Sequence, residues 1–286
     1  MIAYLNGNYL PREEVHISPD DRGFLFADAL YEVIRAYNGH ILCLHEHLER
    51  LEIGAREIRF PRSSFPELAE VGEELIKRNG LTQDSVTLYI QLTRGVAPRG
   101  HAFPPEDTPM TIYMSADPVE SDLEAQGNGI KVILLPDERW VRRDIKSTNR
   151  LANVLANQLA HDADAKEAIF VQEGVLLEGT HSSFCVVADG VLITHPRTAA
   201  VLPGTTARIL QEEICPQLGI ACQERAIMET EIETIDEAFV AGTITEVTPV
   251  IQVGERMVGD GKPGAVTLRL QAAFRDYVSN LDKNSK

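Results

Sequence analysis

Lys146 lies in "WVRRDIKSTNRLANVLANQLAHD", residues 140–162, a stretch whose opening is crowded with charge: Arg142, Arg143, Asp144 and Arg150 surround it. Leu151, Val154, Leu155 and Leu159 follow at the spacing of an amphipathic helix, which places the lysine just ahead of that helix or in its first turn. A cation is unfavourable there, because a helix N-terminus already carries partial positive charge. Positive neighbours disfavour the protonated amine, and a neutral amine is what Schiff-base chemistry needs. The ordinary alternative is a solvated surface lysine.

Three other constellations carry chemistry. In "VLLEGTHSSFCVV", Glu178-Gly179 closes an apolar run and small hydroxyl residues follow. This is either a plain strand end or a carboxylate held by hydroxyls and amides, facing a cationic ring nitrogen. In "VLPGTTARIL", Pro203-Gly204 breaks the chain, and Thr205 or Thr206 can cap a helix whose free N–H groups would suit a phosphate. Arg50 on "HEHLERLEIGA" is a candidate counter-charge, or a surface arginine. In "RGVAPRGHAFP", Arg99 and His101 lie two residues apart on a Gly/Pro-rich loop. That loop is either solvated or a clamp for a carboxylate, since arginine offers a planar fork of donors. A reactive lysine, a carboxylate for a pyridinium nitrogen, a phosphate cradle and a carboxylate trap are together the parts of a pyridoxal phosphate enzyme acting on an amino acid.

The elements that must position these groups are legible in outline. Asn6-Gly7 and Asn38-Gly39 mark hairpins. In the strand "ALYEVIRAY", Tyr31 shares a face with Arg35 while Glu32 points the other way. Helices are expected over roughly 45–59 and 64–79, strands at "SVTLYIQLTRG" and "MTIYMSA", then the acidic stretch "DPVESDLEAQG" as a linker. Beyond it come the strand "IKVILL", the helix after Lys146, two hairpins, a helix from about Thr205, strands near Phe239 and Val250, and a C-terminal helix from about Ala265. Helices and strands that do not strictly alternate indicate an α+β fold. The expected organisation is an N-terminal domain over 1–117, a linker over 118–126 and a C-terminal domain over 127–286.

Composition narrows the partners. The net charge of −16 argues against a nucleic-acid surface and against anionic membranes, but a few arginines in a cleft can still hold an anionic substrate. No apolar run is long enough to span a membrane and no signal peptide is recognisable, so a cytoplasmic location is expected. Cys43, Cys185, Cys215 and Cys222 form no CxxC pair and read as reduced thiols, with no metal site.

The ordered stretches "DRGFLFADALYEV", "HLERL", "LTRGVAPRGHAFP", "RWVRRDIKSTNRL", "LLEGTHSSF", "LPGTTARIL" and "GTITEVTPV" resemble the class IV aminotransferases, the fold type IV pyridoxal phosphate enzymes. Within that family the loop "PRGHAFP" is similar to the D-amino acid transaminase branch. The resemblance covers nearly the whole chain. It implies a small N-terminal α/β domain, a larger β-barrel-like C-terminal domain and a homodimer. It also implies D-amino acids such as D-Ala or D-Glu and 2-oxo acids such as 2-oxoglutarate or pyruvate as substrates, in a ping-pong exchange.

By that resemblance Lys146 forms the Schiff base and shuttles the α-proton, and Glu178 pairs with the ring nitrogen. Arg50, Thr205, Thr206 and Thr243 hold the phosphate, and Tyr31, Arg99 and His101 bind the substrate carboxylate. Two residues depart from the family pattern: His181 where serine is more usual, and Arg143 where a smaller residue is common. The alternatives within the family are a branched-chain L-aminotransferase, an (R)-amine transaminase and aminodeoxychorismate lyase. Outside it stands a non-catalytic metabolite-binding dimer.

Overall fold

The computed structural model describes residues 1–281. The chain divides into two compact units. The first holds Met1–Glu120 and the short segment Ile145–Asn149, and the second holds Ser121–Asp144 and the chain from Arg150 onward.

The first unit is built on a six-stranded sheet, in spatial order Asn8–Pro11, Ile2–Leu5, Thr111–Pro118, Ser85–Thr93, Ala29–Tyr37 and His40–Ile41. Every pairing is antiparallel. Both Asn-Gly turns close their hairpins with positive φ at each central residue, the geometry that follows the twist of the flanking strands. In Ser85–Thr93, Val86, Leu88, Ile90 and Leu92 are wholly buried and alternate with half-buried residues. The helices Leu44–Glu57 and Glu67–Arg78 cover that buried face, with Leu51, Ala55, Leu68 and Leu75 in one core with it.

The segment Ile145–Asn149 does not begin a helix. It lies extended beside the start of Ala29–Tyr37: the Tyr31 N–H donates to the Lys146 carbonyl at 3.0 Å, and the Thr148 N–H to the Ala29 carbonyl at 3.1 Å. Ile145 is buried in the core under it. The helix follows only at Leu151–Asp162.

In the second unit six strands close a ring: Ile130–Pro136, Glu167–Gln172, Val175–Gly179, Ser183–Ala188, Glu237–Gly242 and Glu246–Val253. The ring is completed where Glu178 pairs with Ser183. Ile130–Pro136 runs parallel to both of its neighbours, and the crossover to Glu167–Gln172 is supplied by the helix Leu151–Asp162. Val132, Ile169, Phe184, Val186 and Val240 fill the core. The stretch 118–126, expected to be a linker, holds part of a helix, Leu123–Asn128, whose N-cap Asp122 accepts the Ala125 N–H at 3.0 Å.

Helix Leu151–Asp162 reverses one expectation. Leu151, Val154, Leu155 and Leu159 face outward, with 69%, 60%, 57% and 52% of their surface exposed. The buried side is Asn153, Ala156 and Ala160, against Ala168 and Phe170. Small residues let the helix lie close on the strand, and the Asn153 amide donates to the Thr180 carbonyl at 2.9 Å. The apolar stripe is therefore surface.

Candidate functional site

In the first unit, the Lys146 ammonium nitrogen lies 4.7 Å from the centre of the Tyr31 ring. The backbone pairing of these two residues fixes that neighbourhood. Tyr31 opens a row of rings on the sheet, with Tyr89 at 6.0 Å and Tyr113 6.3 Å beyond it. Burial first, then the neighbouring tyrosines, pushes the Tyr89 hydroxyl up to about 12.

Arg50 is no surface residue. Its Nε and Nη2 each donate at 2.7 Å to the two oxygens of Glu32, which is wholly buried. His47, one turn before Arg50, places Nδ1 2.7 Å from Glu32 Oε2. A carboxylate oxygen only accepts, so Nδ1 carries the proton. Burial alone would raise the Glu32 carboxyl, but Arg50 and then His47 outweigh it and hold the carboxyl far below its ordinary range. For His47 burial dominates and lowers the imidazole, against the pull of Glu32. Strand alternation put Glu32 opposite Tyr31 without showing that it faces the helix; His47 had no signal beyond its i, i+3 spacing to Arg50.

Arg99 and His101 are exposed on the loop between Ser85–Thr93 and Thr111–Pro118. Phe26 gathers them: the Arg99 guanidinium carbon is 5.4 Å, and the His101 ring 5.5 Å, from the centre of the Phe26 ring.

In the second unit, Glu178 is buried at the end of Val175–Gly179. Arg139 donates to its Oε1, and the Leu202 N–H donates to Oε2 at 3.0 Å. Arg139 is itself forked onto Asp137 at 2.9 and 2.8 Å and stacked 4.1 Å over Phe170. Arg143 Nε also lies 3.0 Å from Asp137 Oδ2. Burial raises the Glu178 carboxyl, with Arg139 and the Leu202 amide opposing. The hydroxyls after Glu178 do not hold it, as their sequence proximity had suggested. Ser182 Oγ donates at 2.8 Å, and Thr180 Oγ1 at 3.2 Å, to the buried Glu167, which also accepts the His181 N–H at 2.8 Å. His181 is half-exposed, with Nδ1 3.0 Å from Thr180 Oγ1.

Glu178, Leu202, Gly204 and Ser183 border a small cleft that opens to solvent. Gly204, not a threonine, is the N-cap of Thr205–Ile209. A Cβ at Gly204 would come within 2.4 Å of Ser183 Oγ, so any larger residue there would have to turn that hydroxyl aside. The capping role expected of Thr205 or Thr206 thus falls to the backbone: Thr205 is half-buried and Thr206 buried in the helix's first turn. Thr243 is half-buried in the turn between Glu237–Gly242 and Glu246–Val253. Next to it, the buried Thr245 hydroxyl has no hydrogen-bond partner among the described residues. Glu246, at φ +53°, anchors the turn by accepting the Gln126 amide at 2.8 Å.

The six-stranded sheet with its two helices, the closed ring of strands and these polar clusters are those of a known class of enzyme. Residues 29–253 match the family described as amino-transferase class IV, and the chain belongs to it. It is 39% identical to the D-alanine aminotransferase of Staphylococcus haemolyticus, over 97% of this chain and 98% of that one. It is 38% identical to the D-alanine aminotransferase of Bacillus licheniformis, over 97% of each. Among solved structures it is similar to the branched-chain amino acid aminotransferase of Escherichia coli, with a TM-score of 0.89 at 28% identity over 96% of this chain and 93% of that one. It is also similar to the branched-chain amino acid aminotransferase of Thermobaculum terrenum in its PLP form, with a TM-score of 0.85 at 26% identity over 99% of this chain and 95% of that one.

Proposed function

We propose that this chain is a pyridoxal phosphate-dependent D-amino acid aminotransferase, exchanging the amino group of a D-amino acid such as D-alanine with a 2-oxo acid such as 2-oxoglutarate. One observation carries the reading: Arg99 and His101, both exposed on one loop, each pack within about 5.5 Å of the Phe26 ring centre, and both are donor types suited to a carboxylate. Relatives named for D-alanine, up to 39% identical, support it. The likeness to branched-chain enzymes, at 26–28% identity, reflects a shared fold and keeps the L-specific activity as the second reading.

The donor set fits the cofactor. A pyridinium N–H needs a carboxylate shielded from water, and Glu178 is buried and already oriented by Arg139. A phosphate dianion needs cations and donors, and Arg50 in the first unit and the Thr205 amide, Thr206 and Thr243 in the second are of those types; that the Thr245 hydroxyl has no partner among the described residues supports a donor role for its turn. Bound, pyridoxal phosphate supplies an aldehyde that exchanges amines and a ring that takes up the electron pair left by the α-proton. Lys146 would hold the cofactor through Nζ, and its amine, once free, would move the substrate's α-proton. Glu178 keeps the proton on the ring nitrogen, so that electron density is drawn away from Cα. Arg99, His101 and Tyr31 hold the substrate carboxylate, which decides the enantiomer whose α-proton faces Lys146.

The protein acts as a homodimer. The exposed leucine stripe of Leu151–Asp162 supports this, as do Phe24 and Phe103, 75% and 50% exposed beside the Arg99 loop. It works in the cytoplasm, in keeping with four free cysteines, and has neither nucleic-acid nor membrane partners, in keeping with its acidity. Assaying D-alanine against L-leucine with 2-oxoglutarate tests the reading: turnover of L-leucine alone would transfer the chain to the branched-chain branch.

A further inference from the structure

The loop bearing Arg99 and His101 is exposed and lacks regular structure, yet it is fastened from below by one five-residue helix, Arg22–Phe26. Asp21, its N-cap, ties the loop's two feet: Asp21 Oδ2 accepts Thr93 Oγ1 at 3.0 Å and Thr111 Oγ1 at 2.6 Å. Thr93 and Thr111 are paired at the strand ends from which the loop leaves and to which it returns. Arg22 reaches the crown. Its Nη1 donates to the Gly100 carbonyl at 2.7 Å and to the Ala102 carbonyl at 3.3 Å, the carbonyls of the two residues on either side of His101. Its Nε donates to Asp28 Oδ2 at 2.8 Å. The same oxygen accepts Arg94 Nε at 2.8 Å, and the Arg94 guanidinium lies 3.7 Å over the ring of Phe103 on the loop's returning limb.

Arg22, Asp28 and Arg94 are nearly buried. In that setting the fork of Arg22 is held on one edge by a carboxylate and presents the other to two carbonyls that would otherwise belong to water. We propose that Arg22 is a positioning residue for substrate recognition: acting through the Gly100 and Ala102 carbonyls, it sets where Arg99 and His101 point and so governs affinity for the substrate carboxylate. This rests on the reading of Arg99 and His101 as the carboxylate clamp. Arginine suits the position because Nε and Nη1 are separate nitrogens of one planar fork, one for Asp28 and one for the two carbonyls, whereas the three donors of a lysine share a single nitrogen.

The test compares cofactor-loaded wild type with Arg22→Met, Arg22→Lys and Arg99→Ala. It reads KM and kcat for D-alanine, the affinity for maleate (a carboxylate without an amino group) by titration of the cofactor absorbance, single-turnover rates with 1-phenylethylamine, and hydrogen exchange of amides 99–103. Both Arg22 variants are expected to raise KM and weaken maleate about tenfold or more, to leave kcat and the amine rate near wild type, and to speed exchange in the loop. If Arg22→Met does not fold, Arg22→Lys, which keeps a positive charge beside Asp28, decides. Wild-type maleate affinity in the Arg22 variants, with Arg99→Ala impaired, would overturn the positioning role while leaving the clamp standing. Equal loss toward maleate and the amine would also overturn it, as a general loosening. An unimpaired Arg99→Ala would remove the clamp and this inference with it.

Discussion

Arg50 and Glu32 meet fork to fork, Nε on Oε1 and Nη2 on Oε2, each at 2.7 Å, and the carboxylate is wholly buried. The arginine proposed to hold a phosphate is thus already oriented by a strand residue, and His47 completes the carboxylate's shell.

Glu32→Gln removes the charge that balances Arg50. Breaking one side of a buried ion pair costs about 3–5 kcal/mol. Folding lowers the Glu32 carboxyl below its ordinary 4.5, so its contribution is complete above that pH and is lost as the pH falls through the acid range below it. Melting curves at neutral pH are expected to show the loss. Curves taken below pH 4.5 are expected to show the variant and wild type converging; a constant gap would contradict the assignment.

Lys146→Ala keeps the core, because Lys146 contributes its carbonyl to the Tyr31 N–H and any residue supplies one. The variant is expected to retain pyridoxal phosphate non-covalently and to lose turnover. In the wild type, borohydride should fix the cofactor to Lys146; mass spectrometry finding it on another lysine refutes the role.

Glu178 and Arg139 are predicted to act together. Glu178→Gln leaves the Leu202 N–H an acceptor but no negative charge for the ring nitrogen, and α-proton removal is expected to slow on the order of 10²-fold. Arg139→Met removes the group that opposes the rise of the Glu178 carboxyl, so that carboxyl takes up its proton at higher pH. The acid limb of the single-turnover rate should move upward in Arg139→Met; an unmoved limb argues against the coupling.

Leu155→Glu places a charge in the exposed stripe of Leu151–Asp162, where no core contact is lost. Sedimentation is expected to show a folded monomer. Mixing Arg99→Ala with Lys146→Ala is expected to restore some activity if the Arg99 loop serves the partner's site. Proven subunit exchange without recovery would show that each site is built from one chain.

Local chemistry made much of this protein legible from its residues alone. Asn-Gly pairs announced both first-unit hairpins because few other dipeptides tolerate two positive φ angles. The segment at Ser85–Thr93 was legible as a strand, and its buried Val86, Leu88, Ile90 and Leu92 share one covered face because side chains on a strand point alternately to its two faces. The order of short motifs sufficed to reveal the family. Partner choice among charges was settled only in three dimensions. Glu167 and Glu178 are both buried carboxylates near "GTHSS", but register and turn geometry gave the hydroxyls to Glu167 and left Arg139, thirty-nine residues away, to Glu178. Arg22 and Gly100 are separated by seventy-eight residues, so no spacing rule could couple them. The leucines of Leu151–Asp162 misled for a related reason: periodicity marks an apolar face but not what covers it, and here the close-packing side is made of alanines and one asparagine. Sequence determines which groups the chain can offer and the local conformations they prefer. Which of them are taken out of water together is decided by tertiary packing, since burial is what turns a nearby charge into an obligatory partner.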